Sequence, residues 1–132
     1  MKVIELIPAK MKITINDHRK VFAIQEEFNE AFPYLKLEFF SKPNKKGGAT
    51  AKKFIKHSSK TLGECRTIHN TGDITIIPTM TVAELEQRFA DIYGLGVHVY
   101  RKSGKSWLET TVTDSWTLEE QNRQGEDLSK WA

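Results

Sequence analysis

Cysteine is nearly absent. One thiol, Cys65, in 132 residues excludes a disulfide within the chain and fits a reducing, cytoplasmic setting. No stretch approaches the roughly 18 apolar residues of a membrane-spanning helix, so no membrane partner is expected. The apolar run from Met1 to Pro8 is short and broken by Glu5, which argues against a signal peptide. No GxSxG or HExxH occurs, and Gly47-Gly48 runs into Ala49-Thr50 where a phosphate-binding loop needs lysine and a hydroxyl residue. One cysteine and four scattered histidines (His18, His57, His69, His98) give no zinc-ligand spacing. Glu26-Glu27 and Glu119-Glu120 are sequence neighbours, which diverge by about 100° around a helix and so form no convergent acid–base pair. These absences argue against an enzyme, a metal centre or a cofactor.

What is present is a charge asymmetry. Residues 41–62 carry seven lysines and no acid, so a chain of net charge +3 leaves its other 110 residues at −4. Residues 117–128 carry four acids against one arginine. A basic connection and an acidic tail on a nearly neutral body say more about partners than a pI near 9.0 does. Length and composition, 39% apolar and 28% charged, fit one globular domain spanning 1–132, with residues 1–10 as an N-terminal extension.

The chain also repeats itself. At an offset of 61, Ile13-Thr14-Ile15 returns as Ile74-Thr75-Ile76, Val21 as Val82 and Phe28 as Phe89. In each copy a β-branched alternating segment leads into a helix-period segment, and a second alternating segment follows. The first copy predicts a strand at 12–16 and a helix capped by Asp17 that buries Val21, Ile24, Phe28, Ala31 and Phe32. Pro33 stops that helix, and a second strand covers 34–40. The second copy predicts a strand at 73–77 and a helix opened by the capping box Thr81 to Glu84. That helix buries Val82, Leu85, Phe89, Ile92 and Tyr93 and ends at Gly94; a strand follows at 97–102. Ser103-Gly104 reads as a hairpin turn into a further strand at 107–113. Thr117 and Glu120 open a short acidic C-terminal helix. Between the copies, residues 41–63 form the basic connection. Thr50 there can cap a helix over 51–62 with a stripe of Ala51, Phe54, Ile55 and Leu62, closed by Gly63.

The expected architecture is α+β: two βαβ units in a two-layer sandwich, with an inserted basic helix, an extra C-terminal hairpin strand and a short C-terminal helix. The order of elements resembles the ferredoxin-like split βαβ fold over roughly 90 residues. It departs from that fold in the long connection after the second strand, where a hairpin would stand.

Two groups of residues are candidates for function. On the expected connecting helix Lys52, Lys56 and Lys60 fall on one stripe with Lys53 beside them, and Lys42, Lys45 and Lys46 extend the row along the loop. Such a row meets phosphates as point charges, so it is expected to be salt-sensitive and poor at reading bases. If Leu35, Leu37, Val97 and Val99 face the helices, then Phe40, His98, Tyr100 and Trp107 face outward with Lys36 and Lys102. Phe40, Tyr100 and Trp107 are then available for stacking or for an interface. An RNA-recognition mode with stacking aromatics on the first and third strands is not supported, since Lys12, Thr14 and Asn16, and Asp73, Thr75 and Ile77, stand there. Cys65 with His69 is the sole foothold for a small enzyme, with Asn70 or Asp73 as orienting groups.

The resulting expectation is a non-enzymatic binding domain that contacts nucleic acid or another polyanion. The rival expectation is an interaction or regulatory module that pairs with an acidic protein or with itself as a homodimer. The acidic tail and Trp107, Trp116 and Trp131 motivate the rival.

Overall fold

The computed structural model describes residues 10–41, 53–55 and 59–130. It is α+β, with two antiparallel sheets and three α-helices. The elements are β1 (Met11–Ile15), α1 (Val21–Ala31), β2 (Leu35–Ser41), β3 (Lys53–Phe54), a 3₁₀ turn at Leu62–Cys65, β4 (Gly72–Ile76), α2 (Val82–Tyr93), β5 (Gly96–Ser103), β6 (Ser106–Glu109) and α3 (Leu118–Lys130).

Strand pairing departs from a single ferredoxin-like sheet. β1 and β4 form a two-stranded sheet of their own, and the other four strands lie in the order β3-β2-β5-β6. Ile13 of β1 lies opposite Ile74 of β4, 61 positions on, and Leu37 of β2 lies opposite Val99 of β5, 62 positions on. β1 therefore pairs with β4, and β2 with β5. Alternation alone tells which face of a strand is buried, not which strand lies beside it.

One apolar cluster draws on both sheets and on the three α-helices. Ile13, Ile15, Val21, Ile24, Phe28, Leu35, Leu37, Leu62, Ile76, Val82, Leu85, Phe89, Val99 and Leu118 are fully buried in it. Phe28 packs on Phe32 with ring centroids 5.3 Å apart, and Phe89 meets Phe39 edge-on at 6.3 Å. Each burial of such a side chain contributes roughly 1.5–3 kcal/mol, which makes this cluster the main stabilising term.

Helix ends follow local chemistry. At α2 the Thr81 hydroxyl accepts from the Glu84 amide and the Glu84 carboxylate accepts from the Thr81 amide, the capping box expected. Thr117 and Glu120 do the same for α3. α2 stops at Gly94, whose φ of 65° is left-handed and whose amide donates to Ala90. α1 differs from the expectation. Its N-cap is Lys20, with no side-chain cap, while Asn16 accepts from the amides of His18 and Arg19 in a preceding turn. Asp17 faces Arg66 and His69 instead.

Three further expectations are corrected. Lys53–Phe54 is a strand paired with Phe40 and Ser41, not part of a helix over 51–62, and Gly63 lies inside the 3₁₀ turn instead of closing that helix. Phe54-Ile55 is too short an apolar pair to reveal its period, and the free edge of β2 recruits it: the Ile55 amide donates to the Phe39 carbonyl at 2.8 Å. The last strand ends at Glu109, because Thr110 turns back to bond Val99 through both its amide and its hydroxyl. Ile92 is 46% exposed, since the buried stripe of α2 runs through Val82, Leu85, Phe89 and Tyr93.

A feature unforeseen in the sequence joins each helix to the next. The Val21 amide donates to Lys60 at 2.9 Å, and the Val82 amide to Trp116 at 3.1 Å. In return Leu62 donates to Arg19 and Leu118 to Met80, both at 2.8 Å. Orphan amides at the start of α1 and α2 are thereby satisfied by the chain entering the following helical segment. The 3₁₀ turn has its own capping box, Thr61 with Glu64.

Candidate functional site

The four-stranded sheet turns one face to the core and one away from it. Leu35, Leu37 and Phe39 of β2 and Val97 and Val99 of β5 point inward. Strand alternation then sends Lys36, Glu38 and Phe40, and His98, Tyr100 and Lys102, to the other face. Trp107 and Glu109 of β6 pair with Lys102 and Tyr100 and join them. Cross-strand partners on this face are Lys36 with Tyr100, and Glu38 with His98. Gly96 stands opposite Phe40, where a Cβ would come within 2.8 Å of the phenyl ring. The bare backbone lets Phe40 lie flat and stack on His98, centroids 4.7 Å apart at 23°.

Trp107 is the centre of the polar half of this face. Lys36 Nζ lies 4.8 Å from its ring centroid and Lys102 Nζ 5.2 Å. Each such contact is worth about 0.5–1 kcal/mol at a solvated site, too little to neutralise a cation by itself. Lys36 also reaches Glu38 at 3.0 Å and lies 5.9 Å from the Tyr100 ring. Burial raises the Tyr100 phenol above its ordinary value, with Glu109 and Glu38 adding to it.

A groove of about 360 Å³ opens beside Trp107, lined by Phe22, Gln25, Glu26 and Asn29 of α1 and Lys36, Leu37 and Glu38 of β2. Its floor is fixed by hydrogen bonds. The Gln25 amide donates to the Leu37 carbonyl and the Asn29 amide to the Leu35 carbonyl, both at 2.8 Å. These side chains cover backbone acceptors that a strand would otherwise take.

His98 stands between two carboxylates, with Nδ1 3.6 Å from Glu86 and Nε2 3.4 Å from Glu109. Glu86 also accepts from the Val99 amide at 2.9 Å. Burial raises the Glu86 carboxyl above its usual range, against the opposing pull of the Val99 amide and His98. Among the described residues no group of three or more His, Cys, Asp or Glu is arranged to hold a metal ion.

The lysine row is only partly visible. Lys53 opens β3 and Lys60 is exposed just before the 3₁₀ turn, while Lys42, Lys45, Lys46, Lys52 and Lys56 lie outside the described residues. The basic connection nonetheless meets this sheet at Ser41 and again at Lys53, which pair with each other. Phe40, Tyr100 and Trp107 share this face, but Phe40 is buried, at 8% exposed, while Tyr100 and Trp107 are half-buried. Trp131 lies outside the described residues.

The thiol–imidazole pair is not assembled. The Cys65 thiol donates to the Thr61 carbonyl at 3.3 Å, and burial pushes it up from its ordinary value. His69 Nδ1 lies 2.8 Å from Asp17. Asn70 donates to the Ile92 carbonyl, and Asp73 accepts from the Thr14 hydroxyl. Each residue cast in that role is committed to a structural bond elsewhere.

Phe22, Gln25 and Asn29 were not singled out by sequence reasoning, although their i, i+3, i+7 spacing marks one face of α1. No protein-family model, curated protein or solved structure matches the chain.

Proposed function

We propose that this protein is a cytoplasmic, non-enzymatic binding domain that contacts nucleic acid or another polyanion. The contact is made by the outward face of the four-stranded sheet together with the lysine-rich connection. The observation that carries this reading is a tryptophan with two ammonium groups close to its ring, Lys36 at 4.8 Å and Lys102 at 5.2 Å from the Trp107 centroid. Aromatic rings beside cations suit a ligand that is both flat and anionic. The basic connection adds charge to the same sheet, because it leaves from Ser41 and returns at Lys53. A non-enzymatic role is supported by the separate commitments of Cys65, His69, Asn70 and Asp73. We further read the two halves as copies of one unit, on the pairing of Ile13 with Ile74 and Leu37 with Val99.

Fluorescence anisotropy with labelled oligonucleotides and heparin, at two salt concentrations, tests the reading. Binding that weakens steeply with salt is expected, and joint substitution of Lys52, Lys56 and Lys60 by Gln should lower both the affinity and the salt slope. No binding of any polyanion at low salt refutes it. A salt-insensitive dimer in light scattering would favour self-association through the same face.

A further inference from the structure

We propose that the groove between α1 and β2 seats one unstacked base of a single-stranded nucleic acid, with Trp107 as its stacking platform. This rests on the polyanion reading and narrows it to a ligand class. The groove, about 360 Å³, lies in the size range of small-molecule sites, so it admits one flat ring and not a stacked duplex. Trp107 and Phe22, the latter 42% exposed, are its aromatic lining residues. A sugar–phosphate backbone leaving a base stacked on Trp107 passes the ammonium of Lys102, 5.2 Å from that ring. Lys36, shared with Glu38 at 3.0 Å, supplies the second cation.

The polar lining predicts which base. Gln25 and Asn29 each direct an amide N–H to a carbonyl, of Leu37 and of Leu35, and each carries a side-chain oxygen as a further acceptor. Glu26 and Glu38 add carboxylates to the same lining. The groove is therefore rich in acceptors. It favours bases with an exocyclic amino group (adenine, cytosine and guanine) over thymine or uracil, which offer carbonyl oxygens there. Carboxylates also repel a phosphate from the groove itself, so the ring goes in and the phosphate stays by Lys102.

The test compares (dC)12, (dT)12, a duplex of the same length and heparin by anisotropy, on the whole chain and on Trp107→Ala, Trp107→Phe and Phe22→Ser. Expected is tighter binding of (dC)12 than of (dT)12 or duplex. Trp107→Ala should weaken (dC)12 by about 5- to 150-fold, the scale of one lost stack, with Trp107→Phe restoring most of it. Heparin affinity should fall less than (dC)12 affinity in Trp107→Ala, because Lys36 and Lys102 remain, and should not change in Phe22→Ser. Phe22→Ser, at an exposed position, keeps the fold and should weaken (dC)12 selectively. Loss of all binding, heparin included, in the unsubstituted protein overturns the polyanion reading and this one with it. Equal binding of all four probes, untouched by Trp107→Ala and Phe22→Ser, overturns the base seat alone.

Discussion

Replacing Arg66 by methionine tests the strongest polar tie between the two halves. The Arg66 side chain is fully buried. It donates from Nε and Nη2 to one Asp17 oxygen, at 3.1 and 2.9 Å, and from Nη1 to the Tyr93 carbonyl at 3.0 Å. Arg66→Met keeps the apolar stem and removes all three bonds. The two acceptors fare differently. Asp17 is 37% exposed and keeps His69 at 2.8 Å, so water and the imidazole take over. The Tyr93 carbonyl closes α2 inside a residue only 4% exposed and has no such recourse. A stranded buried carbonyl costs about 1–3 kcal/mol, and this sets the scale of the loss. The cation at the C-terminal end of α2 adds a smaller dipole contribution, roughly 0.3–1 kcal/mol. For a chain of this length the sum lowers Tm by roughly 5–12 °C. Urea unfolding followed by circular dichroism should show a lower midpoint with an unchanged slope. Asp17→Asn keeps the carbonyl bond but leaves the buried guanidinium without its countercharge, so it should also destabilise the fold. A loss for Arg66→Met within about 0.5 kcal/mol, the range of ordinary surface substitutions, would refute the reasoning.

The remaining predictions concern titration and backbone geometry. Hydrogen bonds from His69 and then Arg66 hold the Asp17 carboxyl below its ordinary 3.8; the stability it supplies is present above that value and lost as pH falls through the lowered one. Asp17→Asn should abolish that acid-side loss in a pH series of unfolding midpoints, and an unaltered acid limb would count against it. Glu86 is held above its ordinary 4.5, so the folded state binds more protons than the unfolded state in that interval and stability declines as pH rises through it. Glu86→Gln, which keeps an acceptor for Val99, should flatten this decline; an unchanged slope would show the assignment to be wrong. Iodoacetamide at pH 7.5 should alkylate Cys65 more slowly than a short cysteine peptide, because burial pushes the thiol up, and a faster rate would reopen a catalytic role. Gly94→Ala should cost about 1–2 kcal/mol, since φ is 65° and the new Cβ falls 2.5 Å from Ile68 Cγ1; a neutral result in denaturant would mean that the half-exposed Ile68 simply moves aside.

Much of the interior could be read from periodicity. Spacing marked Val21, Ile24 and Phe28, and then Val82, Leu85 and Phe89, and all six are fully buried. Capping chemistry located the starts of α2 and α3, where Thr81 and Thr117 act as expected. Alternation also put Phe40, Tyr100 and Trp107 on a common face. What stayed hidden depends on distance along the chain. Two-residue periodicity does not encode neighbours, so the separation of β1 and β4 into their own sheet had no local signature. Thr61-Leu62-Gly63-Glu64 spells the same capping pattern as Thr117-Leu118-Glu119-Glu120, but the flanking lysines drew it into the expected basic helix. The groove escaped notice because it exists only once Phe22, Gln25 and Asn29 of α1 stand beside β2.

The pairing of β1 with β4, and of β2 with β5, has a consequence for synthesis. β1 must wait for Gly72–Ile76 before it has a partner, and β2 waits for Gly96–Arg101. Such high contact order makes closure slow, because long loops must be ordered before any ladder rewards them. While the ribosome is still adding residues after Ser41, the emerging segment carries two unzipped strand edges and half a core. A premature stop before Gly96 leaves a product whose β2 lacks its main partner.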